Sequence, residues 1–457
     1  MNPADMIAAT LLFWVLAVLA LGLPPRYGII AYILLVQFDL TGVAFYSDSS
    51  FGWENAIKTV LIPTILLIRI RPLDLLPSGF TATRNIWVFF VGYAGLSIAW
   101  SPYLLSGMKM MGYFYSYSVM FLIFVHAWRR EWITRKSLSL IVLLSLLFAV
   151  TQTYALGNGY GDPLWDNRFT TFSDAQSFAP FLIAMIILLL LCVKRTLSGW
   201  LVAGAALIGF LLTGSRSYLV GFGWVALIVG LVLAKRFRNR LSFWLIVKTA
   251  ASGGLVLALL AVFIVNSMPH SRLNELLDVV TSQNDSLEDV QTFAWRLTIW
   301  AKTAQEIANR DVRGLLVGSG TSSAATVAME TGYFQESNVD PNRCIHDEFL
   351  RSLYEWGAIG LLGFVSFLFV LIHLSFKLAR LTKSPQAWAA VAISGPLLIG
   401  LFIENIMADG SSPGGIGYCL VFASMVAQLR PVLAPAKAPI PAMIPSTGRV
   451  GLSASET

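Results

Sequence analysis

LSGWLVAGAALIGFLLTGSRSYLVGFGWVALIVGLVLAKRFRNR, residues 197–240, decides the fold class. Two apolar runs, 197–213 and 217–234, are separated only by the turn Thr213-Gly214-Ser215-Arg216-Ser217. The second run ends in Lys235, Arg236, Arg238 and Arg240. Each run has the length and composition of a membrane helix, for which about 20 apolar residues suffice. A basic cluster closing the second marks its cytoplasmic end.

Working outward, the same unit recurs. Apolar spans fall near 7–23, 27–46, 55–70, 85–100, 106–127, 137–157, 175–193, 243–266, 348–373, 386–407 and 415–430. The third and fourth are short, so the expectation is an all-α polytopic membrane protein with about 12–14 transmembrane helices. Composition agrees: of 457 residues, 56% are hydrophobic and only 12% charged, with a mean hydropathy of +0.70. A soluble protein would be about a quarter charged. The net charge of +7 reflects basic loops between spans and gives no reason to expect a nucleic-acid partner. Arg26, then Arg69, Arg71 and Arg84, then Arg129, Arg130, Arg135 and Lys136 follow alternate spans. So do Lys194-Arg195, the Lys235 cluster, and Lys377, Arg380 and Lys383. Every second loop is basic, which places the others outside and the C-terminus inside. The start, Met-Asn-Pro-Ala-Asp, lacks the basic leader of a cleaved signal.

Four regions follow. Residues 1–266 form an N-terminal bundle, 267–347 a large outer loop, and 348–430 the C-terminal spans. Residues 431–457, rich in Pro, Ala and small polar residues, read as a disordered cytoplasmic tail. Within the loop, Ser286-Leu287-Glu288-Asp289 resembles a capping box. Val290, Phe293, Leu297 and Trp300-Ala301 continue an apolar face, with Arg296 off its centre. That amphipathic helix is expected to end by Asp311-Val312-Arg313-Gly314 and to lie on the membrane surface or across the bundle mouth.

The outer side also gathers cations where a positive-inside topology makes them sparse: Arg168, Arg216, Arg272, Arg296 and Arg343. An anionic ligand at the membrane surface would account for them. Arg216 opens a span, where free N–H groups and a guanidinium fork together suit phosphate. The plainer account is an interfacial arginine reaching the headgroups. His346, where the loop re-enters the membrane, could act as a general base or simply cap a helix. Downstream, His346, Leu350, Leu353, Gly357, Gly360 and Phe364 share one stripe, whose glycines would admit a neighbouring helix. Asp347, Arg351 and Glu355 lie on the next face and could pair with each other. Asp39 and Glu404 sit near the outer ends of spans, where ionisable groups are functional candidates by default. Three cysteines and four scattered histidines offer no disulfide framework and no zinc spacing. There is no Asp-x-Asp pair and no glycine-rich phosphate loop.

Taken in order, these motifs resemble the O-antigen ligase/polymerase superfamily of bacterial inner-membrane proteins. The resemblance spans roughly residues 160–430. It rests on His346 followed by Gly357-x-x-Gly360, on Arg296-Leu-Thr-Ile-Trp300 leading to Gly318-Ser319-Gly320, on Thr213-Gly-Ser-Arg216, and on Arg168-Phe-Thr-Thr-Phe. It implies a multi-pass protein of the inner membrane with its active face periplasmic. It implies a glycosyltransferase that uses no metal or other cofactor and inverts the sugar carbon. Glycan would pass from an undecaprenyl-pyrophosphate-linked oligosaccharide to the hydroxyl of a glycan or lipid A-core acceptor. Membrane lipids and other polysaccharide export or assembly proteins are the partners it suggests. In that scheme Arg216, Arg168 and Arg296 hold the pyrophosphate, and His346 with Arg216 carries the catalysis. Asp347 stands where the family's ligases commonly have an amide, which favours a repeat-unit polymerase. The competing class is a flippase or transporter of the same lipid-linked sugars. Such a protein should place its polar groups at mid-membrane and show internal repeats.

Overall fold

The computed structural model describes residues 3–38, 53–71, 76–155, 169–171, 175–193, 196–237, 287–331, 345–404, 406–408 and 412–429. Among these there is no strand, and the protein is an all-α polytopic membrane protein. The helices are α1 (Pro3–Gly22), α2 (Pro25–Leu35), α3 (53–70), α4 (Thr81–Leu96), α5 (Leu104–Arg129), α6 (Arg135–Val150), α7 (Ala175–Ile187), α8 (Leu197–Leu212) and α9 (Arg216–Phe237). The large loop contributes α10 (Leu287–Ala308), α11 (Val312–Val317) and α12 (Ala325–Glu330). The last three are α13 (Glu348–Thr382), α14 (Pro385–Ile403) and α15 (Pro413–Gln428). Among the described residues, five stretches are long and apolar enough to cross a membrane: α5, residues 135–153 running on from α6, residues 217–235 of α9, α13 and α14. The expected span 243–266, the loop start at Met268 and the tail lie outside the described residues.

The chain's end supplies the bundle's centre. Nearly every residue of α15 is buried, and it packs on α5, α7 and α14. Glycine makes this possible: a Cβ on Gly415 would come within 2.4 Å of the Tyr117 ring. Around it, α14 packs on α9 and α13, and α13 packs on α4. Where α4, α5 and α13 meet, Phe90 sits edge-on to Trp356 with centroids 5.1 Å apart and packs on Phe114 and Phe364 at 5.6 and 5.5 Å. Such contacts add specific geometry to apolar burial.

The continuous re-entry helix expected after His346 is broken. Gly357 has φ 60° and ψ −166°, dividing α13 into a half-helix, 348–356, and a long span. A break exposes carbonyls that must find donors. Tyr354 O accepts from Ser319 N (3.1 Å) and from Arg310 Nη1 (2.7 Å); Glu355 O accepts from Gly320 N (2.8 Å). Gly318-Ser319-Gly320 is thus the cap of the half-helix. A Cβ on Gly318 would lie 2.4 Å from Glu355 O, and one on Gly357 would lie 2.4 Å from Leu316 O. What Gly357 admits is this turn of the loop, in place of the expected neighbouring helix. Gly360 does face a helix, with Tyr93 of α4 the nearest foreign side chain.

The same turn locks into α4. Thr321 Oγ1 donates to Ala94 O (2.7 Å) and accepts from Trp356 Nε1 (2.8 Å), while Thr321 N donates to Ser97 Oγ (3.2 Å). The loop helix ends before the expected stop, and the stop residues open a new helix. Helix α10 ends at Ala308, and Asp311 caps a separate helix, α11, by accepting from Gly314 N at 2.7 Å.

Gly357→Ala and Gly318→Ala each force a left-handed residue and a backbone clash. Each should therefore destabilise the detergent-solubilised protein by about 1–3 kcal/mol or more. Gly92, whose Cβ position meets open space, should accept Ala without loss. Thermal unfolding of the three variants checks this.

Candidate functional site

The loop closes on the bundle around one carboxylate. Glu404 follows the last turn of α14 and is 5% exposed, its N–H bonded to Gly400 O at 2.8 Å. Three elements bring partners to it. From α10, Arg296 Nη2 lies 3.6 Å from Glu404 Oε2. From the loop's re-entry point, His346 Nδ1 lies 3.7 Å from the same oxygen. From the first turn of α9, Ser217 Oγ donates to Glu404 Oε1 at 3.4 Å. Tyr418 of α15 stands beside Tyr218 and within the field of Glu404.

The sequence reading placed Arg296 off its apolar stripe. The structure buries a different face of α10: Ile299, Thr303 and Ile307 are covered, with Arg296 and Trp300 partly so, whereas Leu297 is 48% exposed. Arg296 therefore points inward. The docking of α10 is polar as well as apolar. Trp300 Nε1 donates to Ile345 O (2.8 Å), and Tyr354 OH donates to Glu306 (2.9 Å). The Arg310 guanidinium lies 3.9 Å over the Tyr354 ring. The Trp300 bond fixes the residue before His346. His346 itself takes a left-handed conformation, φ 54°, which is uncommon for any residue but glycine. Its side chain is 18% exposed, so the imidazole is open on one side and faces Glu404 on the other.

Asp347 caps α13, its Oδ1 accepting from Phe349 N and Leu350 N, both at 2.9 Å. Burial raises its carboxyl above the ordinary carboxylate range, and the two N–H bonds offset part of that rise. The pairing expected among Asp347, Arg351 and Glu355 takes another form. Arg351 pairs with Glu348, one turn before it, because the capping geometry turns Asp347 back to the helix end. Glu355 lies in the field of Arg351 and against the backbone of Ser322 and Ala324.

Of the expected site residues, His346 and Arg296 converge. Arg216 is the first residue of α9, next to Ser217, which reaches Glu404. Arg168, Arg272, Arg343 and Asp39 lie outside the described residues; Phe169, Thr170 and Thr171 beyond Arg168 are buried. Glu404 was a candidate only as an intramembrane acid, and nothing in its local sequence points to His346 or Arg296. Among the described residues, no group of three or more His, Cys, Asp or Glu is placed to hold a metal.

Beside this cluster a cavity of about 640 Å³ runs between α4, α5, α13 and α15, from Arg84 to Ile406 and Met407. Its walls are Trp87, Phe121, Phe367, Leu371 and other apolar groups. One end meets the cluster, since Ile406 and Met407 follow Glu404 closely and Tyr418 lines the cavity and stands in the field of Glu404.

Fold and site define a multi-pass membrane protein with an Arg–His–Glu cluster where a large loop meets the bundle. Residues 200–365 match the family model for O-antigen ligase. That match supports the O-antigen ligase/polymerase superfamily and a glycosyl-transferring activity of that type. It takes in Arg216, Arg296, His346, Gly357 and Gly360 but stops short of Glu404. No curated protein matches the chain.

Asp347→Asn keeps the capping oxygen and removes the buried charge. A raised folded-state pKa means the fold holds its proton more tightly than the unfolded chain, so this group's contribution to stability falls as pH rises. The Asn variant should lose that part of the pH slope and unfold no lower than the parent at pH 8. Asp347→Ala should cost about 0.5–2 kcal/mol at either end of the range. Thermal melts at pH 5 and 8 decide both.

Proposed function

We propose that this protein is a glycosyltransferase of the bacterial inner membrane. It moves glycan from an undecaprenyl-pyrophosphate carrier to an acceptor hydroxyl on the periplasmic side, with a repeat-unit polymerase favoured over a ligase. The observation that carries the reading is the convergence of Arg296, His346 and the start of α9 on Glu404, at the end of an apolar intramembrane cavity. A lipid-linked donor has an apolar chain, a pyrophosphate and a sugar. The cavity suits the first, and the arginines with the α9 N-terminus suit the second.

In this mechanism His346 accepts the proton of the acceptor hydroxyl through Nε2, while the Glu404 carboxylate, 3.7 Å from Nδ1, favours the tautomer with its proton there. The hydroxyl oxygen forms its bond to the anomeric carbon as the bond from that carbon to the pyrophosphate oxygen breaks. The leaving electron pair goes to the pyrophosphate, held by Arg216, Arg168 and Arg296. Glu404 also engages Arg296, so a bound pyrophosphate would compete with this carboxylate for the guanidinium. The C-terminus is assigned to the cytoplasm on the alternation of basic loops.

The experiment is incubation of purified protein with an undecaprenyl-pyrophosphate oligosaccharide, alone and with lipid A-core. Chain growth on the donor alone is expected; transfer only onto lipid A-core would make the protein a ligase. His346→Ala should lower turnover by about 10²–10⁴-fold and Arg216→Ala by a comparable factor, with both variants still extracted from the membrane in folded form. Normal polymer yield in both would end the catalytic assignment. Activity is expected to persist in EDTA, and its loss and restoration by a divalent ion would contradict the scheme. Gly92→Leu, which adds a side chain inside the cavity, should raise KM for the lipid-linked donor several-fold. Its kcat should stay within about twofold of the parent.

A further inference from the structure

The half-helix 348–356 carries a buried ionic pair that the scheme above leaves unused. Glu348 is fully buried and Arg351 is 1% exposed. One Glu348 oxygen pairs with the guanidinium. The other, Oε1, accepts the backbone N–H of Met407 at 2.9 Å. Met407 belongs to the short 3-10 turn Ile406–Ala408 just beyond Glu404. That turn has a second anchor, the Tyr117 hydroxyl, which donates to Ile406 O at 3.1 Å. Arg351 is enclosed in turn: it stands over the Trp356 ring at 5.7 Å, approaches Met110 Sδ at 4.0 Å, and lies in the field of Glu355.

Stability gives little reason for such a pair. Taking two charges out of water costs about what their attraction returns, and apolar replacements of similar volume are often neutral or better. What an apolar pair cannot do is accept the Met407 N–H. We propose that Glu348, held in place by Arg351, is a positioning residue. It fixes the turn after α14 and thereby the Glu404 carboxylate between His346 and Arg296. The inference rests on the glycosyl-transfer reading for its effect on activity, but not for its effect on His346. Among the described residues, the charged groups nearest His346 are Glu404 at the end of α14, Arg296 on α10, and Asp347 next in the chain. Of these only Glu404 depends on the Met407 anchor.

Two double variants separate the roles. Glu348→Gln/Arg351→Met removes the charges and keeps the acceptor; Glu348→Leu/Arg351→Met removes both. Each is compared with the parent for folded yield, kcat, KM and the pH midpoint at which His346 reacts with diethylpyrocarbonate, read by peptide mass spectrometry. The Gln double should keep kcat within about threefold and leave the midpoint in place. The Leu double should lose about 30-fold or more in kcat with little change in donor KM. Its midpoint should fall, because a displaced carboxylate no longer favours the imidazolium. Equal kcat losses in the two doubles, or an unmoved midpoint in the Leu double, would overturn the proposal. Should the Leu double fail to fold, Met407→Pro deletes the donor, leaves the ion pair, and must meet the same expectations. If the parent transfers no glycan, the glycosyl-transfer reading fails, while the His346 midpoints still test the positioning.

Discussion

The break in α13 at Gly357 is the constraint on which the site depends. A helix interrupted inside a membrane protein leaves carbonyls that no water is available to satisfy. Here the donors come from a loop turn, Ser319 N and Gly320 N, and from the Arg310 guanidinium just after the loop helix. The loop is therefore joined to the bundle by backbone, and the joint has no room for a Cβ on either side. Because the joint is closely packed, the half-helix that follows His346 has a defined direction. The imidazole then meets a carboxylate delivered by a helix far along the chain.

Three kinds of contact converge to make that meeting reproducible. The Trp300 indole holds the carbonyl before His346. Thr321 threads the glycine turn into α4 and Trp356. Glu348 reaches the turn that follows Glu404. All three sit in low-dielectric surroundings, where a satisfied hydrogen bond is stronger and an unsatisfied one more costly than in water. A catalytic constellation needs placement to within a fraction of an ångström, and a loop can supply it only if tied down in this way.

The membrane fold was legible because hydropathy and alternating loop charge are one-dimensional signals, and the described helices track the apolar runs. The loop helix was legible from its spacing, but its buried face was not. Leu297 and Trp300 suggested one stripe, whereas Arg296 lies on the covered side because Glu404 offers it a partner there. Gly357 was visible as a glycine, but its left-handed conformation was not. Only the opposing Gly318 turn, some forty residues earlier, makes that conformation necessary. The Glu348–Arg351 pair was hidden for a related reason. Asp347 is equally well spaced for Arg351 until it is turned back to cap the helix.

Glu404 shows most clearly what sequence leaves out. An isolated acid at the end of a span suits a proton pathway as well as a transferase, and only its neighbours separate the two. Near it are a guanidinium, an imidazole and a serine hydroxyl, all on the side where the loop packs, with an apolar cavity running from them into the bundle. A proton-coupled carrier would draw its polar groups toward the bilayer midplane, between structural repeats. In this protein the polar groups gather where the loop meets the bundle, and the cavity beside them is apolar. That order suits the donor we propose, with its greasy tail and anionic, sugar-bearing head.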